Sequence, residues 1–295
     1  MRIPSQLEWW RSEPGGADWL ERLPGIVAEC AERWDLRPGA PFPGGNVSLV
    51  LGAELRDGTP VVLKVNFPEE ESEHEADALV HWAGEGAIRL LAENRERRAL
   101  LLEHCEPGTQ LWMIADGDEA NRIAAHVLRR IWHPPPAPSP FRPLAAEAAR
   151  WGEEIRREWE ALGRPFERRL VDEAGAACRE LGPAQGEAVV LHQDFHGGNV
   201  LRSEREGWLA IDPKPLVGER EFDAASLLRD RRSELVSPGA ARTVRRRLDL
   251  LSAELALDRE RMRRWGIAHA LAWGIGEGKL EADMLEAARL LHEAE

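Results

Sequence analysis

The spacing of hydrophobic residues changes from helical to strand-like early in the chain. Between Trp19 and Trp34 they recur at helical intervals, which predicts helix over residues 1–37, ended by Pro38-Gly39. Strand-like and helical runs then follow at Val47–Leu55, Pro60–Asn66, Glu69–Ala83, Ile88–Glu93 and Arg98–His104. Their predicted order, strand-strand-helix-strand-strand, is typical of a small antiparallel sheet with one helix.

After Pro107-Gly108 the pattern becomes mostly helical. Helices are predicted at Asp118–Trp132, Leu144–Leu162 and Phe166–Leu181, and short strands at Ala188–Leu191, Asn199–Arg202 and Trp208–Ile211. We expect a loop from Lys214 to Arg220 and three or four helices beyond it. The sequence therefore predicts an α+β fold with two lobes, a sheet-rich N-terminal lobe over residues 1–105 and a helical C-terminal lobe over residues 106–295.

Composition narrows the classes of function. The chain has 295 residues and a net charge of −13, which disfavours a nucleic-acid binder because such proteins need a basic face. The negative charge is compatible with a cationic ligand, although solubility alone explains it equally well. No apolar run reaches the roughly 18 residues of a membrane helix, and the three scattered cysteines fit a reducing cytoplasm. We expect a cytoplasmic protein that acts on a small molecule, with no membrane, nucleic-acid or protein partner.

The stretch Leu191–Lys214 contains the candidate chemistry, which is carried by Asp194, Asn199 and Asp212. Phosphoryl transfer needs an acceptor hydroxyl that is aligned and relieved of its proton, and cations on the phosphates. Asp194 would accept the hydrogen bond of the hydroxyl, while Asn199 and Asp212 would offer oxygen ligands to Mg²⁺. Gly197-Gly198 would let the backbone turn sharply between these groups.

The same stretch allows a second interpretation, a zinc site. His192, Asp194 and His196 form an HxDxH pattern, and all three side chains belong to residue types that bind zinc. The other histidines are scattered singly along the chain and form no second ligand cluster. The zinc hypothesis therefore rests on this pattern alone.

Lys64 is the second candidate for phosphate chemistry. It lies in the predicted strand VVLKV, where alternation places it on the face opposite Leu63. There its ammonium group would contact nucleotide phosphates, and the alternative is a surface lysine on an edge strand. Glu75, on the following helix, is the expected partner of Lys64, with Glu71 and Glu73 as competitors.

Two further segments are candidates for nucleotide contacts. Gly44, Gly45 and Asn46 precede the first predicted strand and would form a loop over the phosphates, although GxGxxG is absent and an ordinary turn fits equally well. Residues 102–105 end the small sheet, and we expect the backbone of Glu103 and Cys105 to hydrogen-bond an adenine edge.

Two segments of the chain resemble the aminoglycoside phosphotransferase and choline-kinase group of the protein-kinase-like fold, and these are HQDFHGGNVL and AIDPKPLVGEREFDAASLLRDR. The second is most similar to the branch of aminoglycoside/hydroxyurea resistance kinases. The resemblance implies a bilobal fold, ATP and Mg²⁺, and an acceptor hydroxyl on an aminoglycoside of the streptomycin type. It also implies that Asp194 is the catalytic base, that Asn199 and Asp212 bind the metal, and that Lys64 and Glu75 form the phosphate-binding pair.

The chain departs from this group at Gln193, where glycine usually separates the histidine from the aspartate. We expect altered packing there and no loss of activity. Glu219 and Asp223 are possible contacts to a cationic acceptor because guanidinium groups pair with carboxylates; Asp223 would alternatively cap the helix that begins there. Another hypothesis is a kinase of hydroxyurea or of a sugar-like metabolite. A third is an inactive nucleotide-binding regulator, but the presence of Lys64 and Asp194 argues against it.

Overall fold

The structure is a computed structural model, and it describes residues 3–43, 47–276 and 278–294. The chain folds into two compact units whose boundary along the sequence lies between Gly108 and Thr109; the sequence predicts it after residue 105. The predicted phosphate loop of Gly44, Gly45 and Asn46 lies outside the described residues. Within the described ranges, no helix has the length and apolar character needed to cross a membrane.

The first unit combines two α-helices and five strands in its described part. In chain order these are α1 (Gly16–Trp34), β1 (Leu36–Pro41), β2 (Leu49–Leu55), β3 (Pro60–Val65), α2 (Glu75–Trp82), β4 (Leu90–Asn94) and β5 (Ala99–Glu103), with 3₁₀ helices at Ser5–Ser12 and Arg95–Arg97. The strands form one antiparallel sheet in the order β1-β2-β3-β5-β4.

Strand β1 is missing from the sequence prediction, which extends the first helix to residue 37. The helix instead ends at Trp34, because Asp35 takes a left-handed conformation with φ 52°. The chain then enters the sheet as an edge strand. Pro38 and Pro41 are tolerated there because one side of an edge strand makes no ladder hydrogen bonds.

Helix α1 packs against one face of this sheet. Leu20 and Leu23 of α1 belong to the same buried cluster as Leu51 of β2 and Leu63 of β3. Because side chains alternate along a strand, Lys64 points to the opposite face, as the sequence predicts. The first unit therefore has an apolar face under α1 and carries Lys64 on its other face.

Helix α2 begins at Glu75, six residues after the predicted start at Glu69. Residues 71–74 form a turn instead. The hydroxyl of Ser72 donates to the carbonyls of Phe67 and Glu69, and such local bonds compete with helix formation. Among the three acidic candidates for the Lys64 partner, Glu75 alone is both helical and buried.

The second unit is mainly helical in its described part. After β6 (Pro107–Gln110), which spans the boundary, its α-helices are α3 (Gly117–Ile131), α4 (Leu144–Ala161), α5 (Arg168–Leu181), α6 (Arg220–Ala225), α7 (Arg232–Leu235), α8 (Ala240–Leu255), α9 (Arg259–Gly274) and α10 (Ala282–His292). Its short strands are β7 (Arg142–Pro143), β8 (Ala188–Leu191), β9 (Val200–Ser203), β10 (Gly207–Ala210), β11 (Leu216–Glu219), β12 (Ile275–Gly276) and β13 (Lys279–Leu280). Its 3₁₀ helices are Leu111–Met113, Gly197–Asn199 and Ser226–Arg229.

Helix α9 lies at the centre of the second unit. It packs against α4, α5, α6, α8 and α10. Met262, Trp265, Ile267 and Leu271 are completely buried on different sides of it. A helix that is apolar on most sides belongs in a core, so the one histidine on α9, His269, is buried as well.

Strand β11 occupies part of the segment that the sequence predicts as a loop. It pairs with β8 in antiparallel register, with Leu216 opposite Leu191, and with β7 in parallel. Its sequence, LVGE, includes a glycine and an acid and carries no strand signal of its own, so pairing with β8 and β7 decides this strand. The predicted hairpin is present as β9 and β10, with Val200 opposite Ala210.

Candidate active site

The hairpin β9–β10 brings the two predicted metal ligands together. Asn199 directly precedes β9, and Asp212 follows two residues after β10. The N–H of Ile211 donates to the carbonyl of Asn199 at 2.9 Å, which continues the hairpin ladder by one step beyond Val200. Asn199 and Asp212 are therefore neighbours at the open end of the hairpin.

The side chain of Asn199 has one defined orientation. Its Nδ2 donates to the carbonyl oxygen of Asp194 at 3.0 Å, so its Oδ1 is directed away from that carbonyl. Asp212 adopts a left-handed backbone conformation with φ 58°, a region that aspartate tolerates better than most residues and that recurs at functional sites. An amide oxygen and a carboxylate at one hairpin end are a donor set that fits Mg²⁺.

Asp194 is a buried carboxylate that stays ionised. Its Oδ1 accepts a hydrogen bond from Nη2 of Arg229 at 3.1 Å, and its Oδ2 lies 3.7 Å from Nε2 of His196. Burial by itself raises the pKa of Asp194, but His196 and the guanidinium of Arg229 stabilise the carboxylate more strongly. The pKa therefore lies well below its ordinary value, and Asp194 is a weak base.

The residues of the HxDxH pattern have other partners. Nε2 of His192 is 2.9 Å from the carbonyl of Ile211, and Nδ1 of His196 accepts from the N–H of Gly198 at 3.0 Å. Burial lowers the pKa of His196 despite the nearby carboxylates of Asp194 and Asp230. In the described part of the chain, no group of three or more His, Cys, Asp or Glu side chains is arranged to hold a metal ion, so the zinc hypothesis finds no support.

The two glycines of the loop are required for a reason other than the predicted sharp turn. Neither has a positive φ. A Cβ on Gly197 would lie 2.5 Å from Cδ1 of Trp112, and one on Gly198 would lie 2.7 Å from Cζ3 of the same indole. The loop therefore carries glycine because Trp112 lies directly against its backbone.

Asp223 fixes the backbone that leads to Asp194. It is fully buried within α6, and its carboxylate accepts hydrogen bonds from the N–H groups of His192 and Gln193 at 2.8 to 3.1 Å. Nε1 of Trp132 donates to it as well, at 2.9 Å. Burial raises the pKa of Asp223, while these donors favour its ionised form. Asp223 therefore does not cap its own helix, and its burial gives the predicted acceptor contact no support.

Glu219 is also engaged inside the second unit. Its carboxylate accepts bonds from Arg261, from the indole N–H of Trp265 at 2.6 Å and from the N–H of Gly186 at 3.0 Å. Its exposed fraction is 1%. A carboxylate with three kinds of donor and no exposure ties β11 to α9, so the predicted role of Glu219 in acceptor binding also finds no support.

Gln193 has an unusual backbone conformation. It has φ 65°, a left-handed conformation that glycine adopts without strain. This accounts for the glycine that the resembling group carries at this place. In this chain Nε2 of Gln193 donates to Glu147 at 3.3 Å, which gives the larger side chain a buried partner.

Two residues beside Asp194 are absent from the predicted site. Arg229 is buried and donates to Asp194 through Nη2 and to Nδ1 of His269 through Nε, at 2.8 Å in the second bond. Arg229 stands in the segment that carries the family resemblance, so the sequence held a signal for it. His269 is a lone histidine on an apolar helix, and nothing in the sequence distinguishes it from a core residue.

Asp194 lines a pocket within the second unit. The pocket has a volume of about 470 Å³, within the range of small-molecule sites. Its lining consists of two indoles, two carboxylates, three guanidinium groups, a histidine and a hydroxyl, namely Trp112, Asp194, His196, Arg229, Asp230, Arg231, Arg232, Ser233 and Trp273.

In the first unit, Lys64 forms the predicted pair with Glu75. The two side chains are buried, and Nζ of Lys64 lies 2.7 Å from both carboxylate oxygens. Nδ2 of Asn66 also donates to Glu75, and Oδ1 of Asn66 accepts from the hydroxyl of Ser48, both at 2.7 Å. The predicted contact between Lys64 and Glu75 is present, while its role in phosphate binding stays a prediction. Nothing in the sequence pattern indicated the two polar residues, Asn66 and Ser48, that support the pair.

The predicted adenine-binding residues end the sheet of the first unit. Glu103 is the last residue of β5 and lies opposite Val61, and its carboxylate accepts from the N–H of Arg89 at 2.9 Å. Cys105 is buried two residues further on. Their contact to adenine stays a prediction.

Comparison with known proteins identifies the relatives of this chain. Residues 33–276 match the family described as aminoglycoside/hydroxyurea antibiotic resistance kinase. A streptomycin 6-kinase of Streptomyces griseus is 37% identical over 285 residues, covering 94% of this chain and 92% of that protein. A hydroxyurea phosphotransferase of Kitasatospora aureofaciens is 37% identical over 288 residues, covering 95% of this chain and 82% of that protein. The structure of choline kinase LicA from Streptococcus pneumoniae matches with a TM-score of 0.61 and 14% identity, over 92% of this chain and 99% of that one.

The fold and the site together define a small-molecule kinase with a protein-kinase-like fold, which acts on a hydroxyl group. The predicted α+β fold is confirmed, and the phosphate donor of this class is ATP. Because the family match covers most of the chain, the protein belongs to the aminoglycoside/hydroxyurea antibiotic resistance kinase family.

Proposed function

We propose that the protein transfers the γ-phosphate of ATP to a hydroxyl group of a streptomycin-type aminoglycoside, with Asp194 as the base. The observation that carries this proposal is that the ionised carboxylate of Asp194 lines a pocket of ligand size. The identity of 37% to a streptomycin 6-kinase supports the choice of acceptor. A cytoplasmic location, where ATP is available, is part of the proposal.

In this mechanism Asp194 aligns the acceptor hydroxyl and receives its proton late. Arg229 holds Oδ1 of Asp194, which leaves Oδ2 to accept the hydrogen bond of the hydroxyl. A weak base suffices because phosphoryl transfer passes through a loose transition state in which the nucleophile gains little bonding before the proton leaves. Asn199 and Asp212 would hold Mg²⁺, which when bound supplies positive charge to the phosphate oxygens.

The nucleotide contacts are proposed for the first unit. Lys64 would contact the phosphates, and the bidentate pairing with Glu75 holds its ammonium group in one position. The backbone at Glu103 and Cys105 would bind the adenine edge, and Gly44 to Asn46 would form the phosphate loop. The burial of Lys64 supports this role. Burying a lysine and its carboxylate partner costs desolvation free energy that a surface lysine avoids, so a functional role gives a reason for the buried position.

The pocket contains groups that suit a guanidinium-bearing acceptor. Tryptophan attracts cations to its ring face more strongly than other aromatic residues, and 45% of the surface of Trp112 is exposed. The arginines of the pocket are already paired with acids, Arg231 with Glu234 and Arg232 with Glu281. They therefore oppose a cationic ligand less than their number suggests.

A second candidate is a small neutral acceptor of the hydroxyurea type. It is favoured by the guanidinium groups of the pocket, which would donate to a carbonyl oxygen. The hydroxyurea phosphotransferase is as similar in sequence as the streptomycin 6-kinase, at 37% identity.

The two candidates are separated by an acceptor panel with the purified protein. Mg²⁺ and ATP are supplied with streptomycin, another aminoglycoside, hydroxyurea or a simple sugar, and ADP release and the phosphorylated product are measured. We expect turnover with streptomycin and none in the matched Asp194→Asn variant. Turnover with hydroxyurea alone would establish the second candidate, and no product from any acceptor would favour the inactive nucleotide-binding regulator.

A further inference from the structure

His269 has a defined protonation state within the core of the second unit. Nδ1 lies 2.8 Å from Nε of Arg229, and Nε2 lies 3.1 Å from the carbonyl oxygen of Gln193. Because Nε–H of an arginine always donates, Nδ1 must accept, and Nε2 must carry the proton that is donated to the carbonyl. Burial and the neighbouring Arg229 lower the pKa of His269 to about 3, which agrees with a neutral ring.

Both partners of His269 are attached to Asp194. Gln193 directly precedes it, and Arg229 binds its Oδ1 at 3.1 Å. One imidazole thus connects the backbone before the carboxylate with the guanidinium that holds the carboxylate. A core histidine whose nitrogen atoms need only some hydrogen-bond partner is not expected to bind both Arg229 and the Gln193 carbonyl, two groups that adjoin Asp194.

Aromatic rings restrict the imidazole to this orientation. Trp273 stacks on His269 with 5.7 Å between ring centroids and 11° between planes. Trp151 meets it edge-on, with centroids 5.3 Å apart. The guanidinium of Arg229 lies 4.9 Å from the centroid of the same Trp273 ring, so this indole packs against both members of the His269–Arg229 pair.

We propose that His269 is a positioning residue for phosphoryl transfer, which orients Arg229 and the Gln193 carbonyl so that Oδ2 of Asp194 is presented to the acceptor hydroxyl. The inference rests on the proposed function of Asp194. Losing this orientation displaces the carboxylate without removing it, and a displacement of about 1 Å lowers turnover by roughly 100-fold. The effect falls on kcat, because His269 itself touches neither nucleotide nor acceptor.

Two conservative variants separate the two hydrogen bonds of the imidazole. In His269→Asn the amide oxygen takes the place of Nδ1 and accepts from Arg229, whereas in His269→Gln the amide nitrogen takes the place of Nε2 and donates to Gln193. We expect His269→Leu to lose about 10- to 100-fold in kcat with an unchanged KM for ATP. His269→Asn is expected to recover most of that loss and His269→Gln less.

Met262→Ala is the matched control, since Met262 is completely buried on the same helix. It is expected to lower the melting temperature and to leave kcat unchanged. The proposal is overturned if all folded His269 variants retain wild-type kcat, or if kcat merely follows the melting temperature along a line that includes Met262→Ala. If His269→Leu does not fold, the Asn and Gln pair decides.

A second measurement does not depend on turnover. ¹⁵N NMR of the wild-type protein with labelled histidine is expected to show His269 neutral and protonated at Nε2 between about pH 5 and 8, well above the pKa of about 3. An Nδ1–H tautomer or a charged ring would overturn the positioning role. Wild-type protein that shows the expected tautomer but turns over no acceptor would instead contradict the proposed function, so the two failures are distinguishable.

Discussion

The indole of Trp112 lies parallel to the imidazole of His196, with 4.9 Å between ring centroids and 9° between planes. Nε1 of Trp112 donates to Asp230 at 2.6 Å, and Asp230 also accepts from the N–H of Gly197 at 2.7 Å. A side chain that is 45% exposed is thus fixed at two points against the loop that contains His196 and Gly197. Trp112 also lines the pocket that Asp194 lines.

We predict that Trp112→Ala raises the KM for a cationic acceptor about 10-fold and leaves the KM for ATP unchanged. Loss of a cation–π contact of ~1–2 kcal/mol has an effect of this size. Steady-state kinetics with each substrate varied in turn provides the measurement. Trp9→Ala is the control, because Trp9 is a comparably exposed tryptophan, at 42%, in the first unit. An unchanged acceptor KM would exclude Trp112 from the acceptor site.

The contact between Trp112 and the glycines gives a second prediction. Gly197→Ala places a Cβ 2.5 Å from Cδ1 of the indole, so the indole has to move away from Asp230. We expect lower stability and lower kcat, and we expect Trp112→Ala in the same chain to relieve part of both losses, with a coupling energy of about 0.5–3 kcal/mol. Thermal melting and turnover of the four proteins in the cycle test this.

Gly25→Ala is the control for the glycine substitution itself. A Cβ at Gly25 would have no atom within 4 Å, and alanine is favoured over glycine by about 1 kcal/mol inside a helix. This variant is therefore expected to be as stable as the wild type or more so. Strict additivity of Gly197→Ala and Trp112→Ala would show that the indole is not what excludes a side chain at residue 197.

The fold could be predicted from the sequence where the hydrophobic period is long or local signals are strong. Strand β8 is observed at the predicted residues Ala188–Leu191, and α4 begins at the predicted Leu144. Strands β1 and β11 could not be predicted, because β1 contains two prolines and β11, with the sequence LVGE, contains a glycine and an acid, both depleted in strands, whereas β8 reads AVVL. Pairing with neighbouring strands therefore decides β1 and β11. A single sequence does not reveal which strands from distant parts of the chain pair with one another.

In the candidate site, too, residues in short motifs could be predicted, and residues contributed by distant parts of the chain could not. Asp194, Asn199, Asp212 and the Lys64–Glu75 pair lie in short segments whose spacing predicts their chemistry. Groups that reach the site from distant parts of the chain carry no such spacing, as His269 shows: it lies 75 residues from Asp194 in the sequence. The sequence offers Asp223 as either an acceptor contact or a helix cap, because it does not show that the carboxylate is buried and bound to backbone N–H groups.

Substitution of Asp194 tests the base directly. We predict that Asp194→Ala lowers kcat by at least about three orders of magnitude while ATP still binds, because alignment and proton removal act only on the acceptor. Asp194→Asn is the matched variant, since its amide oxygen still accepts from Arg229, so the buried guanidinium keeps this hydrogen bond. Calorimetric titration with ATP and single-turnover kinetics provide the two measurements. Near-normal turnover in the Asn variant would show that another group takes the proton.

Asp212 is expected to act through the metal. Asp212→Asn keeps a residue that tolerates the left-handed conformation but removes the charge that a Mg²⁺ ligand supplies. We predict a folded protein of near wild-type stability whose nucleotide binding no longer depends on Mg²⁺, as measured by titration of ADP with and without the metal. Unchanged Mg²⁺ dependence would remove Asp212 from the metal site.

The pair of Lys64 and Glu75 allows its structural role to be separated from its proposed role in binding. Both side chains are buried, so Lys64→Ala leaves a buried carboxylate without its cation. Breaking a buried pair in this way costs about 3–5 kcal/mol, whereas replacing both partners by neutral groups is often nearly neutral. We therefore predict that Lys64→Ala loses both stability and ATP affinity.

The double variant Lys64→Met/Glu75→Gln is expected to recover the stability and not the affinity. Methionine fills the volume of the lysine stem, and the glutamine oxygen continues to accept from Nδ2 of Asn66, which now binds Glu75 at 2.7 Å. Thermal melting and ATP titration of the single and double variants provide the comparison. Asp194 is unchanged in both variants. The phosphate role of Lys64 stands only if the stable double variant still binds ATP at least about 10-fold more weakly than the wild type, a difference of ~1.4 kcal/mol.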